Sequence, residues 1–541
     1  MKESLFKHNL PFVLLLAGLA GLGCTSCSDD NDEPTNQMST ESERNAYFKY
    51  DASDVLVEED TTFNVFDEIE KHIKATSGGN GEEEEAMHEY YTQMYDDLKA
   101  IVEHKADSIC AVNPGNSLEA VIGQISEMGR VTITYTDLSA DGTYKRMSTR
   151  VVYPTRFTFD INANNIILGC HYTITSNAEC PTNMGFQSLV SDACLLGAEW
   201  ATSNNNLVVM PDYEGFGASV SSTHPYLIRE VQARQCLKAL IVAMNWFTGT
   251  HGKEFNEGNV VVEGFSQGGA VAAATYRYWL EHLNDDWAQT LKTPILGAVC
   301  SDGPYDPLAT LQYYCKNNIL TMPVAPVLML KGLCETDREC IKAGLEATDF
   351  FSKDFCNTDI FRRVNAKTYT TTQCEYALRD NPGSMTIIGE TSVSASDAFN
   401  KETYEYFRND KEPTDNPQLL KKLKVLKHCL EKNALTYGFD PSAGFDLTFP
   451  IMQFDAKLHI TPNFTFFHGK HDTVVPIDNL NGIKQKWSSS VYKLVTCPNI
   501  YDHGKLAVVF FLQLHDRYVQ EMFKREWKPG TFSFVTADPL K

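Results

Sequence analysis

From residue 130 to residue 306, and again after residue 463, strand-like runs alternate with helix-like ones. "NNIILGCHYTI", "NNLVVMPDYEG", "NVVVEGF", "ILGAVCSDGPYD" and "NFTFFHGK" are runs of the first kind; "FQSLVSDACLLGAEWA", "VQARQCLKALIVAMNWF" and "GGAVAAATYRYW" are of the second. A strand that is apolar at nearly every position is buried on both faces, and strands separated by helices pair in parallel. The alternation therefore predicts an α/β fold: a mostly parallel sheet with flanking helices. "RVTITYTDL" and "YKRMSTRVVYP" read as an antiparallel pair at its start, joined by the turn "SADGT".

The alternation stops between residues 307 and 449, where helical text such as "ECIKAGLEATDFFSKDF" and "NPQLLKKLKVLKHCLEKNAL" takes over. The sheet then resumes and ends in "LAVVFFLQLHDRYVQEMFKREW", a closing helix. Residues 130–306 and 450–541 thus form one core, and the block between them is an inserted helical cap. Residues 46–129 read as an N-terminal helical extension, because Met87, Tyr91, Met94, Leu98 and Ile101 recur at helical spacing.

Ahead of that extension, Lys2 and Lys7 precede the apolar run "LPFVLLLAGLAGLG", too short to span a bilayer comfortably, so residues 1–26 read as a signal peptide. Cys24 and Cys27 follow small residues and resemble the acylation site of bacterial lipoproteins. Cys27, or else Cys24, is the expected lipid anchor, and "CSDDNDEPTN" resembles a surface-export signal of Bacteroidetes-type lipoproteins. Residues 27–45 are polar and acidic, with too little apolar surface to offset the entropy of folding, and are expected to be a flexible tether. These features predict a chain held at the bacterial cell envelope, on the outer membrane, with the membrane as partner through that anchor.

A formal net charge of −23 argues against nucleic acid as a partner, because a polyanion would be repelled over the whole surface. The cysteines beyond the anchor lack the paired CxxC spacing of zinc sites, so no metal is expected. In an oxidising compartment, Cys334 with Cys340 or Cys356 with Cys374 would close small loops.

Chemistry is carried by "VVVEGFSQGGAVAAATYRYW". The bare Gly264-x-Ser266-x-Gly268 pattern is weak evidence. Its context, a buried strand run before it and a small-residue helix after it, is that of a nucleophile elbow, a sharp turn that lifts the serine above the strand ends. A side chain at Gly264 or Gly268 would collide with the adjoining elements. A serine hydroxyl is a poor nucleophile until a base takes its proton and an acid orients that base. Asp472 follows the strand "FTFFHGK", and His503 precedes the closing helix, giving the order serine, acid, base of α/β-hydrolases. Asp302 and Asp306, after the preceding strand, are the alternative acids; Asp478 and Asp502 fit a helix and a loop better. Of the other histidines, His515 belongs to the closing helix, His468 and His471 flank the acid loop, and His224 lies in "THPYL".

Two backbone N–H groups would hold the developing oxyanion. Gln267 supplies one, as the first residue of a helix whose leading amides lack intrahelical partners. The second is expected from the loop after "NNIILGC", at Tyr172 or Thr173. Tyr213 in "PDYEGFG" is expected to pack beneath the site, not to donate to the oxyanion, with Asp212 and Gly215 shaping a tight loop.

Taken together, "NIILGCHYTITSNAECPT", "VVMPDYEGFGASVSSTHPYL", "VVVEGFSQGGAVAAA", "GPYDP" and "FFHGKHDTVVP" resemble the α/β-hydrolase family related to secretory lipases of the Candida lipase A type. The resemblance implies Ser266, Asp472 and His503 as a catalytic triad, a helical lid after "GPYD", and cleavage of carboxylic esters through an acyl-enzyme. It implies no metal or organic cofactor, and a small-molecule or acylated substrate. Many relatives read His-Gly-Thr where this chain has His171-Tyr172-Thr173, so the bulkier tyrosine is expected to reshape the oxyanion loop or narrow the acyl site. A serine peptidase and a carbohydrate (acetyl or feruloyl) esterase are alternatives on the same fold. A non-catalytic binding lipoprotein is the alternative of another class.

Overall fold

The computed structural model describes residues 38–77, 82–155, 165–183, 206–252, 259–291, 294–389, 391–451, 454–497, 503–510, 518–519, 522–523 and 532–534. The signal peptide with Cys24 and Cys27, most of the tether, the helix expected at "FQSLVSDACLLGAEWA", Asp502 and His515 lie outside them. No helix among the described residues is long and apolar enough to cross a membrane.

Among the described residues, ten strands form one sheet: β1 Leu56–Asn64, β2 Glu127–Leu138, β3 Tyr144–Pro154, β4 Ile166–Cys170, β5 Leu207–Pro211, β6 Val260–Phe265, β7 Ile295–Ser301, β8 Phe464–Gly469, β9 Tyr492–Cys497 and β10 Phe532–Phe534. Their spatial order is β1-β2-β3-β5-β4-β6-β7-β8-β9-β10. The first three neighbouring pairs are antiparallel, and from β5 onward every pair is parallel. The chain enters the centre of the sheet at β4 and β6, and it works outward to β10.

Successive residues of a strand point to opposite faces, and the central strands are apolar on both. Ile166, Leu168, Val260, Val262 and Phe466 face one helical layer, to which Arg229–His251 and Gln267–Glu281 contribute. Ile167, Val261, Val299, Phe467 and Val495 face the other, where they meet Val65, Ile69, Tyr91, Leu98 and Val102 from the N-terminal segment. The two helices Val65–Thr76 and Glu82–Val112 therefore cover one face of the sheet.

The structure departs from expectation at several points. The tether ends earlier than residue 45: Thr40 and Glu43 form a capping box at the start of the helix Glu41–Phe48. That helix is pinned because Tyr47 and Phe48 are buried, the Phe48 ring stacking on Trp287 at 3.9 Å. The N-terminal extension is not all helix, since β1 lies within it. Exposed, polar "LVEEDTTFN" carries no apolar alternation to announce a strand. It pairs with β2, a twelve-residue strand that would otherwise be an open edge. At the other end, β10 adds an unforeseen strand beside β9.

The block after Asp306 is largely helical, from Pro307–Asn317 to Pro417–Lys432, and has its own apolar cluster around Leu330, Phe350, Phe355, Leu423 and Leu426. The expected helix in "ECIKAGLEATDFFSKDF" is broken into Arg338–Lys342 and Lys353–Asn357, with Gly344 at φ +63° between them. An antiparallel ribbon, Phe445–Ile451 with Phe454–Ile460, straddles the junction expected at residue 450. Neither proposed disulfide forms. Cys374 donates to the Thr175 hydroxyl at 3.6 Å, Cys356 faces the Thr348 carbonyl, and Cys340 lies with Asp337 and Cys429 instead of Cys334.

Candidate active site

Strand β6 ends at Phe265, and Ser266 turns the chain into the helix Gln267–Glu281 with φ 56° and ψ −124°. A non-glycine residue there is strained, by about 1–3 kcal/mol, and persists because its surroundings fix it. The Ser266 N–H donates to the Ser301 carbonyl of β7 at 2.8 Å. The flanking glycines have a steric cause. A Cβ on Gly268 would sit 1.9 Å from the Cys170 carbonyl oxygen, and one on Gly264 would sit 2.5 Å from the Gly268 backbone.

The loop after β8 presents Asp472, which is buried. One of its oxygens accepts the N–H groups of Val474 and Val475 at 2.8 and 3.0 Å. The other lies 2.6 Å from Nδ1 of His503, the first residue of the helix His503–Val509. Nε2 of the same ring is 2.9 Å from Ser266 Oγ. A carboxylate only accepts, so Nδ1 carries the ring proton and Nε2 is left to accept from the serine hydroxyl. The Phe265 ring packs on the imidazole at 4.8 Å between centroids. A lone pair aimed at a hydroxyl, on a ring oriented by a buried acid, is the arrangement that removes a proton from serine.

Of the alternative acids, Asp306 caps the helix Pro307–Asn317, accepting from the Ala309 N–H at 3.0 Å. Asp478 is held by Asn481 at 3.1 Å. Asp302 comes nearer. It is fully buried at φ 45°, and its oxygens accept from the Gly469 N–H and the Ser301 hydroxyl, each at 2.7 Å. A carboxylate oxygen of Asp302 lies within 4.8 Å of both Asp472 and a ring nitrogen of His468. Two such carboxylates do not ionise independently. Burial pushes Asp302 up, offset in part by His468, and the Asp472 charge pushes it up further. Burial also acts on Asp472, but the facing His503 ring and its hydrogen bond outweigh it and hold that carboxyl below its ordinary value. The negative charge therefore rests on the acid that touches His503.

His468 donates from Nε2 to the Val475 carbonyl at 2.9 Å, bracing the Asp472 loop, while His471 is exposed. Thr173 lines a cavity with Ser266, and its hydroxyl meets Tyr226 Oη at 2.9 Å. Tyr172 is not part of that wall; its half-buried ring packs against the cluster of Ile174, Cys180 and Phe216. It does not narrow the cavity as expected. The Tyr213 hydroxyl donates to the His171 carbonyl at 3.2 Å, and the Tyr213 ring stacks on His171 at 3.9 Å. Asp212 ties the loop together by accepting from Ser148 and Thr182.

One participant escaped the sequence reading. His224, buried, donates from Nδ1 to the Glu214 carbonyl at 2.8 Å and accepts at Nε2 from the Gln267 side-chain amide at 2.7 Å. Burial pulls this imidazole down to about 3, so it stays neutral, as that pair of bonds demands. It props the side chain of Gln267, the residue that follows Ser266. "THPYL" alone gave no sign of this, because the contact spans 43 residues.

No family model matches the chain, and no curated protein matches it either. Solved structures do. A Legionella pneumophila protein described as a hydrolase is 16% identical over 74% of this chain and 91% of its own, with a TM-score of 0.52. The rice cell wall degrading esterase LipA from Xanthomonas oryzae is 17% identical over 77% of this chain and 95% of its own, with a TM-score of 0.51. The chain has the α/β-hydrolase fold. Candida antarctica lipase A in its closed state, at 13% identity over 76% of this chain and 82% of its own, is a looser likeness, with a TM-score of 0.49. In the terms of this fold, Ser266 stands at the turn after a central strand, and Asp472 and His503 stand beyond the ends of β8 and β9.

Proposed function

We propose that this protein is a serine hydrolase that cleaves carboxylic esters. The observation that carries the proposal is the continuous hydrogen-bonded line from Ser266 through His503 to Asp472 at the ends of three strands. His503 takes the serine proton as Oγ attacks the ester carbonyl, and Asp472 stabilises the imidazolium that forms. The Gln267 N–H and an N–H of Thr173 or Tyr172 hold the oxyanion. His503 then returns its proton to the departing alcohol. Water, activated by the same ring, cleaves the acyl-enzyme and restores Ser266. No step calls for a metal or an organic cofactor. The name of the Xanthomonas protein, an esterase, favours esters over amides. On sequence grounds alone, the protein acts at the cell envelope, anchored through an acylated Cys27 or Cys24.

Fluorophosphonate probes react with an activated serine and not with an ordinary one. Wild-type protein is expected to be labelled at Ser266, and Ser266→Ala is expected to lose both labelling and ester hydrolysis. Equal labelling of the two proteins would remove Ser266 from the chemistry, and an unlabelled wild type would leave a binding protein on a hydrolase fold.

A further inference from the structure

Between the cap helices Ile360–Ala366 and Thr371–Asp380, the short link 367–370 reaches onto the core. Lys367 stands at φ 52°, and its Nζ donates to three backbone carbonyls of the loop after β5: Gly215 at 2.6 Å, Val220 at 2.8 Å and Ser222. The ammonium also lies over the Phe216 ring, 5.5 Å from its centroid. The same link grips the loop after β4. The Asn177 N–H donates to the Lys367 carbonyl at 2.8 Å, and the Thr175 hydroxyl donates to the Tyr369 carbonyl at 2.7 Å. The Asn177 side chain in turn accepts the Gly217 N–H at 2.8 Å, which ties one loop to the other.

Both loops lead to Ser266. The loop after β4 carries Thr173, which lines the Ser266 cavity, and the loop after β5 carries His224, which holds the Gln267 side chain. Residues 171–183 and 212–224 lie beyond the strand ends, so sheet pairing does not fix them. The cap link does. We infer that Lys367 is a positioning residue for the reaction: its ammonium clasps the loops after β4 and β5 together and keeps the Tyr172 and Thr173 amides in place for the oxyanion. This rests on the ester-hydrolase reading above, in which one of those amides faces the reacting carbonyl.

Charge gives the clasp a signature that a mere staple would lack. An ammonium has three N–H donors, one for each carbonyl, whereas a neutral amine has two and turns a lone pair on the third carbonyl. Burial pulls Lys367 down to about 8, with Lys331 adding to the effect and Glu214 and Glu335 opposing it. Lys331 and Glu335 pair with each other on the helix Val324–Thr336, whose Ala325 and Met329 line the Ser266 cavity. His224, pulled down to about 3, stays neutral above that, and Glu179 on the loop after β4 turns its carboxyl to the Ser176 N–H at 3.2 Å. None of these neighbours is altered by a substitution at Lys367.

The test is kcat and KM of the full mature chain on one aryl ester from pH 5 to 9.5, for wild type, Lys367→Arg and Lys367→Met. Wild-type kcat is expected to fall about tenfold above pH 8 with KM within about twofold, a part of the 10²–10³ lost when an oxyanion donor is removed outright. Lys367→Arg stays charged over the whole range and is expected to hold its kcat to pH 9.5. Lys367→Met keeps the stem without a donor and is expected to run about tenfold below wild type at pH 7, with no alkaline fall. Fluorophosphonate labelling at Ser266 shows that the nucleophile of each protein is intact.

A Lys367→Arg profile that falls where the wild type falls would overturn the inference and leave the hydrolase reading standing. So would a wild-type kcat that holds to pH 9.5, a folded Lys367→Met within twofold of wild-type kcat, or a loss carried by KM alone. If Lys367→Met does not fold, the Lys367→Arg profile decides. A wild type that neither labels nor cleaves the ester would overturn both.

Discussion

The sheet and the inserted cap solve the same packing problem in different ways. Val260, Val261 and Val262 are wholly buried because helices lie on both faces of β6, and the strand holds its register against β4 and β7. The cap buries Leu330, Phe350, Phe355 and Leu423 between short helices whose ends are pinned one at a time by caps such as Asp337, Ser352, Thr370 and Asn416. The sheet is a rigid frame with Ser266, Asp472 and His503 at one set of strand ends. The cap is a collection of locally fixed pieces, and it shares with Ser266 the wall of a cavity. On the proposed function, the division separates what reacts from what is admitted. Changes in the loops of the sheet should abolish turnover, and changes in the cap side of that wall should redirect it.

The sharpest break in that comparison is at His503. Replacement by Ala is expected to lower kcat by about 10⁶-fold with little change in KM, the scale seen when the base of a serine hydrolase is lost. A hundredfold loss or less in the purified variant would mean that another group takes the serine proton. Asp472→Asn comes next, at about 10⁴-fold, because the ring keeps its place but loses its acceptor. Asp302 makes this variant informative. It lies within 4.8 Å of Asp472 and is the less ionised of the two while Asp472 is charged. Asp472→Asn removes that charge, so Asp302 should ionise more readily. If Asp302 then serves as acid, the double variant with Asp302→Asn will be much slower than Asp472→Asn alone. Equal rates would confine Asp302 to bracing the Gly469 amide.

The same division explains what could be read from the sequence. The central strands were legible because burial on two faces leaves uninterrupted apolar runs, and the glycines at 264 and 268 because their neighbours leave no room for a Cβ. The candidate residues Ser266, Asp472 and His503 were found from their places after such strands. β1 was not legible, since an exposed edge strand needs no apolar pattern. The interruption at Gly344 and the ribbon after Gly444 were missed because tertiary contacts, not local periodicity, end and pair those segments. His224 was hidden for a related reason, as its partners Glu214 and Gln267 are distant in sequence or bonded through the backbone. Long-range hydrogen bonds leave no spacing to read.

The smallest expected effect tests the cap by itself. Glu375, on the helix Thr371–Asp380, is buried where its carboxylate accepts the Val324 N–H at 3.2 Å, at the start of the helix that carries Ala325 and Met329. Thr391 bonds its other oxygen at 3.2 Å. Burial outweighs both hydrogen bonds and raises this carboxyl to about 7. The folded protein therefore keeps a proton that the unfolded chain has already released, and stability falls as pH rises from about 4.5 to about 7, then levels off. The span corresponds to about 3 kcal/mol at most. Glu179 and Asp137, also raised by burial, to about 7 and about 6, tilt the stability curve in the same sense, so the wild-type curve alone cannot isolate Glu375. The difference between wild type and Glu375→Gln can. Glutamine keeps the acceptor toward Val324 and has no proton to lose, so its melting temperature should exceed that of the wild type by a few degrees at pH 8. The gap should close on acidification to pH 4.5. A gap independent of pH would show that Glu375 is ionised in the folded cap and that the helix dipole at Val324 compensates for its burial.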